Sequence, residues 1–267
     1  MPSLDSHQSS TYVKLLNLGD PSAGKTGALS SLVGAGYNLL IWDFDNGLDS
    51  LVQYARRDHP ANLKNVHYMT LRDKFKTNGV DIVYDGIPSA FSRGLKLMDK
   101  WDKAHGADED IGVPGKLGPK WIIVIDTLTF FSDSAFRFFD AMNPAVKDKR
   151  QIYFLAQTAL AEFFDMLTAK EFEAHVIINA HITYDTNHLG IQKGFARTVG
   201  SALNSRISSW FNGAVLTESS GSGASIKRFV RFPSNGIVEL RNPAPFKLPE
   251  TLPIDTALAG YFKAVLS

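Results

Sequence analysis

Residues 19–26 read GDPSAGKT, between the apolar run YVKLLNL (12–18) and the segment GALSSLVGAG (27–36). A glycine, four variable positions, and then glycine, lysine and a hydroxyl residue is the spacing of a loop that wraps phosphate. The glycines let backbone N–H groups turn inward on an anion at the start of a helix, where the helix dipole adds to the attraction. A strand before and a helix after are what such a loop needs, and the flanking runs supply both. On this reading Lys25 reaches the β- and γ-phosphates and the Thr26 hydroxyl offers an oxygen to Mg²⁺. Gly19, Asp20, Pro21, Ser22, Ala23, Gly24, Lys25, Thr26 and Gly27 are then the residues expected to line the nucleotide. The plain alternative is an ordinary glycine-containing turn from strand to helix.

A second stretch agrees with the first. WIIVIDTL (121–128) is an apolar strand ending in Asp126, where a carboxylate at the strand's C-terminal edge can hold the Mg²⁺ water shell. Thr26 and Asp126 are therefore the candidate metal ligands, with ATP and Mg²⁺ the expected cofactors. No Asn-Lys-x-Asp stretch for reading guanine occurs, which favours ATP over GTP. LLIWDFDNGLDSL (39–51) places Asp43 and Asp45 at another strand end, and a carboxylate there can orient or deprotonate an attacking water. For Asp45 the alternative role is to cap the following helix.

The wider chain fits an α/β protein. Strands are expected near 11–18, 38–44, 65–70, 120–126 and 174–180. Those in the middle are apolar on both alternating faces, as strands covered by helices on two sides must be. Helices are expected at 24–33, 47–56, 88–104, 127–141, 151–171, 196–209 and 254–266. Beyond residue 210, GAVLTE, SIKRFVRF and IVEL, separated by Gly/Ser and Ser-Asn-Gly turns, predict an antiparallel C-terminal extension of a mostly parallel sheet. Residues 104–119 read as a Gly/Pro-rich mobile loop and residues 1–10 as a disordered tail. Residues 11–267 then form a single domain.

Composition limits the partners. Lys and Arg number 28 against 27 Asp and Glu among 267 residues, so no overall field draws the chain to nucleic acid or membrane, and any basic site is local. The absence of cysteine removes disulfides, thiolate metal sites and cysteine nucleophiles. No apolar stretch is long enough for a membrane helix. A cytoplasmic protein is expected.

The order of these motifs, with GLD after the acidic strand end and the polar-tipped strand VIINAHITY (176–184), resembles the RecA-like P-loop ATPases. More narrowly, it is similar to the phage-encoded RecA-fold ATPases associated with single-strand annealing recombination. The resemblance implies a RecA-like fold, ATP hydrolysis, assembly into a ring or filament, and work on single-stranded DNA with recombination or replication partners. For a phage-encoded chain the compartment would be the host cytoplasm. It places Asp45 where RecA proteins carry the water-activating glutamate, one methylene longer. His181 falls at the residue that senses the γ-phosphate. The segment TYDTNHLGIQKGFARTVG (183–200), with Lys193, Phe195 and Arg197, corresponds to the DNA-contacting loop. Arg241 in VELRNPAPFKLPE is the match for a basic residue presented to the neighbouring subunit's γ-phosphate, with Arg228 and Arg231 as competitors. Tyr54 is a further residue for stacking on adenine, although its spacing departs from the RecA pattern. Two other readings stay open: an assembly protein that binds nucleotide but barely hydrolyses it, and a nucleotide kinase. The kinase would need an Arg-rich lid that the sequence between 127 and 174 lacks.

Overall fold

The computed structural model describes residues 11–267, and the tail expected over 1–10 lies outside the described residues. The chain runs from β1 (Lys14–Leu18) through the phosphate loop into α1 (Lys25–Ala28) and α2 (Ser30–Gly34). It continues through β2 (Asn38–Asp43), α3 (Asp49–Asp58), β3 (Val66–Thr70), a hairpin of β4 (Phe75–Asn78) and β5 (Asp81–Tyr84), and α4 (Ala90–Asp99). Then follow β6 (Trp121–Asp126), α5 (Leu128–Met142), α6 (Lys149–Thr168), β7 (His175–Ala180) and a second hairpin, β8 (Ile182–Thr186) with β9 (Gln192–Ala196). The last elements are β10 (Gly213–Ser220), β11 (Lys227–Arg231), β12 (Thr251–Pro253) and α7 (Ile254–Leu266).

Eight strands make one sheet in the order β12-β11-β10-β1-β7-β6-β2-β3. From β10 to β3 every pairing is parallel, while β11 and β12 add antiparallel to the β10 edge. This is the expected mostly parallel sheet between helices with antiparallel strands at its C-terminal end. The five expected strands all form, four of them inside the sheet and β3 at its edge. Alternation sorts their side chains onto two faces: Leu40, Trp42, Ile123, Ile125, Val176 and Ile178 pack with α4, α5 and α6. Leu39, Ile41, Ile122, Val124 and Ile177 pack with α1, α2, α3 and α7. Burying both faces is what made these runs continuously apolar.

Four local expectations need correction. GAVLTE is antiparallel only to β11, because its other edge lies parallel to β1, with Leu15 opposite Gly213. IVEL forms no strand but a single isolated bridge, Val238 to Gly194, followed by one from Arg241 to Ala214. There the Asn235 side chain accepts the Ile237 and Val238 N–H groups and holds a turn. The helix expected over 196–209 is replaced by the end of β9 and a 3₁₀ segment, Asn204–Trp210. Asn204 Oδ1 takes both the N–H and the hydroxyl of Thr198, and such local side-chain bonding competes with helix. The loop at 104–119 is tied down through Gly118 N to Glu173 O and Glu173 N to Gly115 O, both 2.7 Å.

Candidate active site

Parallel strands carry their ligand sites at their C-terminal ends, and β1, β2, β6 and β7 end together here. Asn17, Asn179, Asp126 and Asp43 sit opposite one another on a single rung across these four strands. The rung is a wire of hydrogen bonds. Thr217 Oγ1 donates to Asn17 Oδ1 (2.6 Å) and Asn17 Nδ2 to Asn179 Oδ1 (2.8 Å). Asn179 Nδ2 donates to Asp126 Oδ1 (3.0 Å), and Thr26 Oγ1 donates to Asp126 Oδ2 (2.7 Å). All but Thr26 are fully or almost fully buried. Asp126 is fixed on both oxygens, and burial pushes its pKa above the usual carboxylate range, against the Thr26 and Asn179 bonds that favour the charged form.

The phosphate loop stands over this rung. Gly19 lies so close to β10 that a Cβ there would meet Thr217 O at 2.6 Å, and Gly24 has φ of 106°. Both positions therefore require glycine, one for close approach and the other for a left-handed backbone. Lys25 is buried and its Nζ donates to Gly19 O and Asp20 O, each at 2.9 Å. Those carbonyls hold the ammonium where phosphate oxygens would otherwise be its acceptors. Burial lowers the Lys25 pKa to about 8, opposed by the charges of Asp126, Asp45 and Asp20.

The second acidic pair divides its work. Asp43 accepts from Asn46 N (2.8 Å), Gly47 N (3.2 Å) and Thr70 Oγ1 (2.9 Å), so it holds the turn after β2. Asp45 gives α3 no capping bond and its Oδ1 is buried without a partner. Burial raises its pKa to about 7, helped by the charges of Asp126 and Asp43 and a side-chain hydrogen bond with Asp43, and opposed by Lys25.

Ser22, Lys25, Thr26, Asp45, Thr127, His181 and Arg228 line one cleft of about 500 Å³. His181 packs edge-on against Phe130 and burial, with Lys25 and Arg197 nearby, lowers its pKa to about 4, so its imidazole is neutral at pH 7. Its carbonyl accepts Arg197 N (2.8 Å), joining the cleft to the β8–β9 hairpin. The segment expected there as a DNA-contacting loop contains this hairpin. Its Lys193 pairs with Glu239 (3.3 Å) while Arg197 is exposed. Arg241 is not brought to this cleft. It bridges Ala214 and donates through Nη1 to Phe211 O (2.9 Å), toward the N-terminal end of β10. Arg231 pairs with Glu218 and Glu250. Arg228, by contrast, lies over the loop of its own chain.

Tyr54 on α3 sits against α1, close enough that a Cβ at Gly27 would meet its ring at 2.9 Å. With Arg228 it also lines a second cleft of about 420 Å³ bordered by Pro253 and Ile254. Sequence reading passed over Asn17, Asn179 and Thr217. For Asn17 and Asn179 the signal was a polar residue near the C-terminal end of an apolar run, in LLNL and VIINA.

The donor set suits a Mg²⁺ nucleotide. Thr26 Oγ1 and Asp126 are hard oxygens, and Mg²⁺ is typically held by one or two such groups together with phosphates and waters. Among the described residues no cluster of three or more His, Asp or Glu could hold a metal ion by itself. The unpartnered Asp45 Oδ1 and Thr127 Oγ1 belong to residues lining the same cleft.

No curated protein sequence matches the chain. Among solved structures, the KaiC-like protein PH0186 from the hyperthermophilic archaeon Pyrococcus horikoshii OT3 is 12% identical, over 82% of this chain and 78% of that one, with a TM-score of 0.38. The RadB recombinase is also 12% identical, over 82% and 79%, with a TM-score of 0.42. The family model described as AAA domain matches residues 11–232. That span takes in the phosphate loop, Asp45, Asp126 and His181 together, and the chain belongs to the AAA domain family of nucleotide-binding ATPases.

Proposed function

We propose that residues 11–267 form a single Mg²⁺-dependent domain that hydrolyses ATP, assembles as a ring or filament, and acts on single-stranded DNA in phage-type recombination or replication, in the host cytoplasm. One observation carries the hydrolytic part. Lys25, the Thr26–Asp126 oxygen pair and Asp45, with its unpartnered Oδ1, meet at one cleft, although they come from three separate strand ends. Phosphoryl transfer to water asks mainly for positioning and for charge placed where it develops. Lys25 and the loop N–H groups bind the phosphates, and Asp45 takes the proton of the attacking water. His181 contacts the γ-phosphate end as a neutral donor. Mg²⁺, when bound at Thr26 and Asp126, supplies charge neutralisation for the phosphate oxygens.

The DNA-binding part rests on the β8–β9 hairpin, which begins directly after His181 and carries Lys193 and Phe195, with Arg197 just beyond it donating its backbone N–H to the His181 carbonyl. Among the described residues no helix is long and apolar enough to cross a membrane. The second reading, a nucleotide-gated assembly protein with little turnover, is favoured by Asp45 itself. Asp stands where RecA-like proteins carry the longer Glu, so its carboxyl reaches one methylene less far toward an attacking water. Single-turnover ATP hydrolysis, with and without single-stranded DNA and with Lys25→Ala as control, decides between them. Turnover that is stimulated by DNA and abolished in Lys25→Ala supports the ATPase. Tight ATP binding with no turnover in either condition supports the assembly protein, and unchanged binding in Lys25→Ala overturns both.

A further inference from the structure

Arg228 belongs to β11, where it faces Ser219 two rungs beyond the Thr217–Val230 pair. Val230 and Phe232 are buried in the cluster that also contains Ala28 of α1 and Ile254 of α7. Alternation puts Arg228 on that same face, as the charged end of an otherwise apolar row. β1 stops at Leu18, opposite Leu216. Ser219 lies three residues farther, roughly 10 Å at the rise of a strand, so β11 carries Arg228 past the sheet edge and over the phosphate loop. A Cβ at Gly24 would meet Arg228 Cδ at 2.7 Å, and Arg228 Nε donates to Ser22 O at 3.4 Å.

Two contrasts give this placement meaning. Arg231, three residues on, is held by two carboxylates. Among the described residues Arg228 has only the long contact to Ser22 O, leaving its Nη groups for a ligand. Secondly, Lys25, Thr26, Asp45 and His181 line only the phosphate cleft, whereas Arg228 and Tyr54 line both it and the adjoining cleft of about 420 Å³. Arg228 thus stands at the junction, where the α- and β-phosphates of a nucleotide with its γ-phosphate at Lys25 and its base beside Tyr54 would lie.

We propose that Arg228 is a phosphate-binding residue acting in cis, gripping the α/β-phosphates of the nucleotide held by its own subunit's loop. The inference rests on the ATP-binding reading. A guanidinium exchanges a long carbonyl contact for charge-assisted, forked bonds to phosphate, geometry an ammonium cannot copy.

The test is calorimetric titration of ATP, ADP and adenosine into wild type, Arg228→Ala and Arg228→Lys, with thermal unfolding as the check on folding. Arg228→Ala is expected to weaken ATP and ADP alike by about 10- to 100-fold, leaving any adenosine binding unchanged, with partial recovery in Arg228→Lys. Mixing Arg228→Ala with Lys25→Ala protein is expected to restore no turnover, because both groups must lie in one chain. Unchanged ATP and ADP affinities in folded Arg228→Ala protein overturn the inference, as does recovery of turnover on mixing. If neither variant folds, the same titrations on Arg228→Gln decide by the same criteria. A wild-type chain that binds no ATP overturns the nucleotide reading itself, a result distinct from normal ATP binding in the wild type with no loss in the variant.

Discussion

Replacing Asp45 by Asn is expected to lower activity and raise stability together. The Asp45 pKa is moved from 3.8 to about 7 by burial beside Asp126 and Asp43. That is about three units at 1.4 kcal/mol each, or roughly 4 kcal/mol for a carboxyl sealed from water. Asp45 is only partly buried, and solvent screening reduces the figure to about 1–2 kcal/mol. The sign follows from the raised pKa: the folded state holds this proton more tightly than the unfolded chain. Its stability contribution is complete below pH 3.8 and is lost as pH rises through about 7. Asn does not titrate, and its amide N–H can donate to Asp43 as the protonated acid would. Urea unfolding without nucleotide or Mg²⁺ should therefore show Asp45→Asn more stable than wild type, by a margin that widens between pH 5 and pH 7.5 and then stops growing. Turnover in the same variant should fall 10²-fold or more, as for a lost general base, and wild-type turnover should climb with pH through about 7. A stability gap equal at both pH values would refute the electrostatic argument, and unaltered turnover would refute the catalytic one.

Asp126→Asn should keep much of the ATP affinity but shift the Mg²⁺ titration of turnover to higher concentration, since one hard oxygen is lost. An unchanged titration would remove Asp126 from the metal site. Asn179→Leu leaves Asp126 Oδ1 and the Asn17 amide without partners in a buried rung, so the variant should unfold about 1–3 kcal/mol more easily, and equal urea midpoints would contradict the wire. Replacing Lys193 and Arg197 together by Ala should weaken single-stranded DNA binding and flatten its salt dependence, with equal slopes counting against the hairpin. Arg241→Ala should bind ATP normally yet hydrolyse it slowly, and mixing it with Lys25→Ala protein should restore activity. A mixture that stays inactive while both proteins assemble would return Arg241 to the surface.

The phosphate loop was legible from letters alone because its chemistry is local: eight consecutive residues bring the glycines, the lysine and the hydroxyl within reach of one anion. The same holds for the central strands, whose burial on both faces writes itself as an unbroken apolar run. Residues whose role depends on distant neighbours left fainter marks. Asn17 and Asn179 are 162 positions apart, and only the parallel pairing of β1 with β7 shows that each satisfies the other. Asp43 and Asp45 look alike in DFD. Tertiary placement alone gives one to the turn and leaves the other with an unpartnered Oδ1 and a raised pKa. Arg228 and Arg231 lie in one short strand, yet pleating and the reach of β11 past β1 send one to the phosphate loop and the other to Glu218 and Glu250. Local pattern fixes which backbone forms, because periodicity and glycine act within a few residues. Which charges face each other is decided by strand order and register, and those are set by burial across the whole sheet.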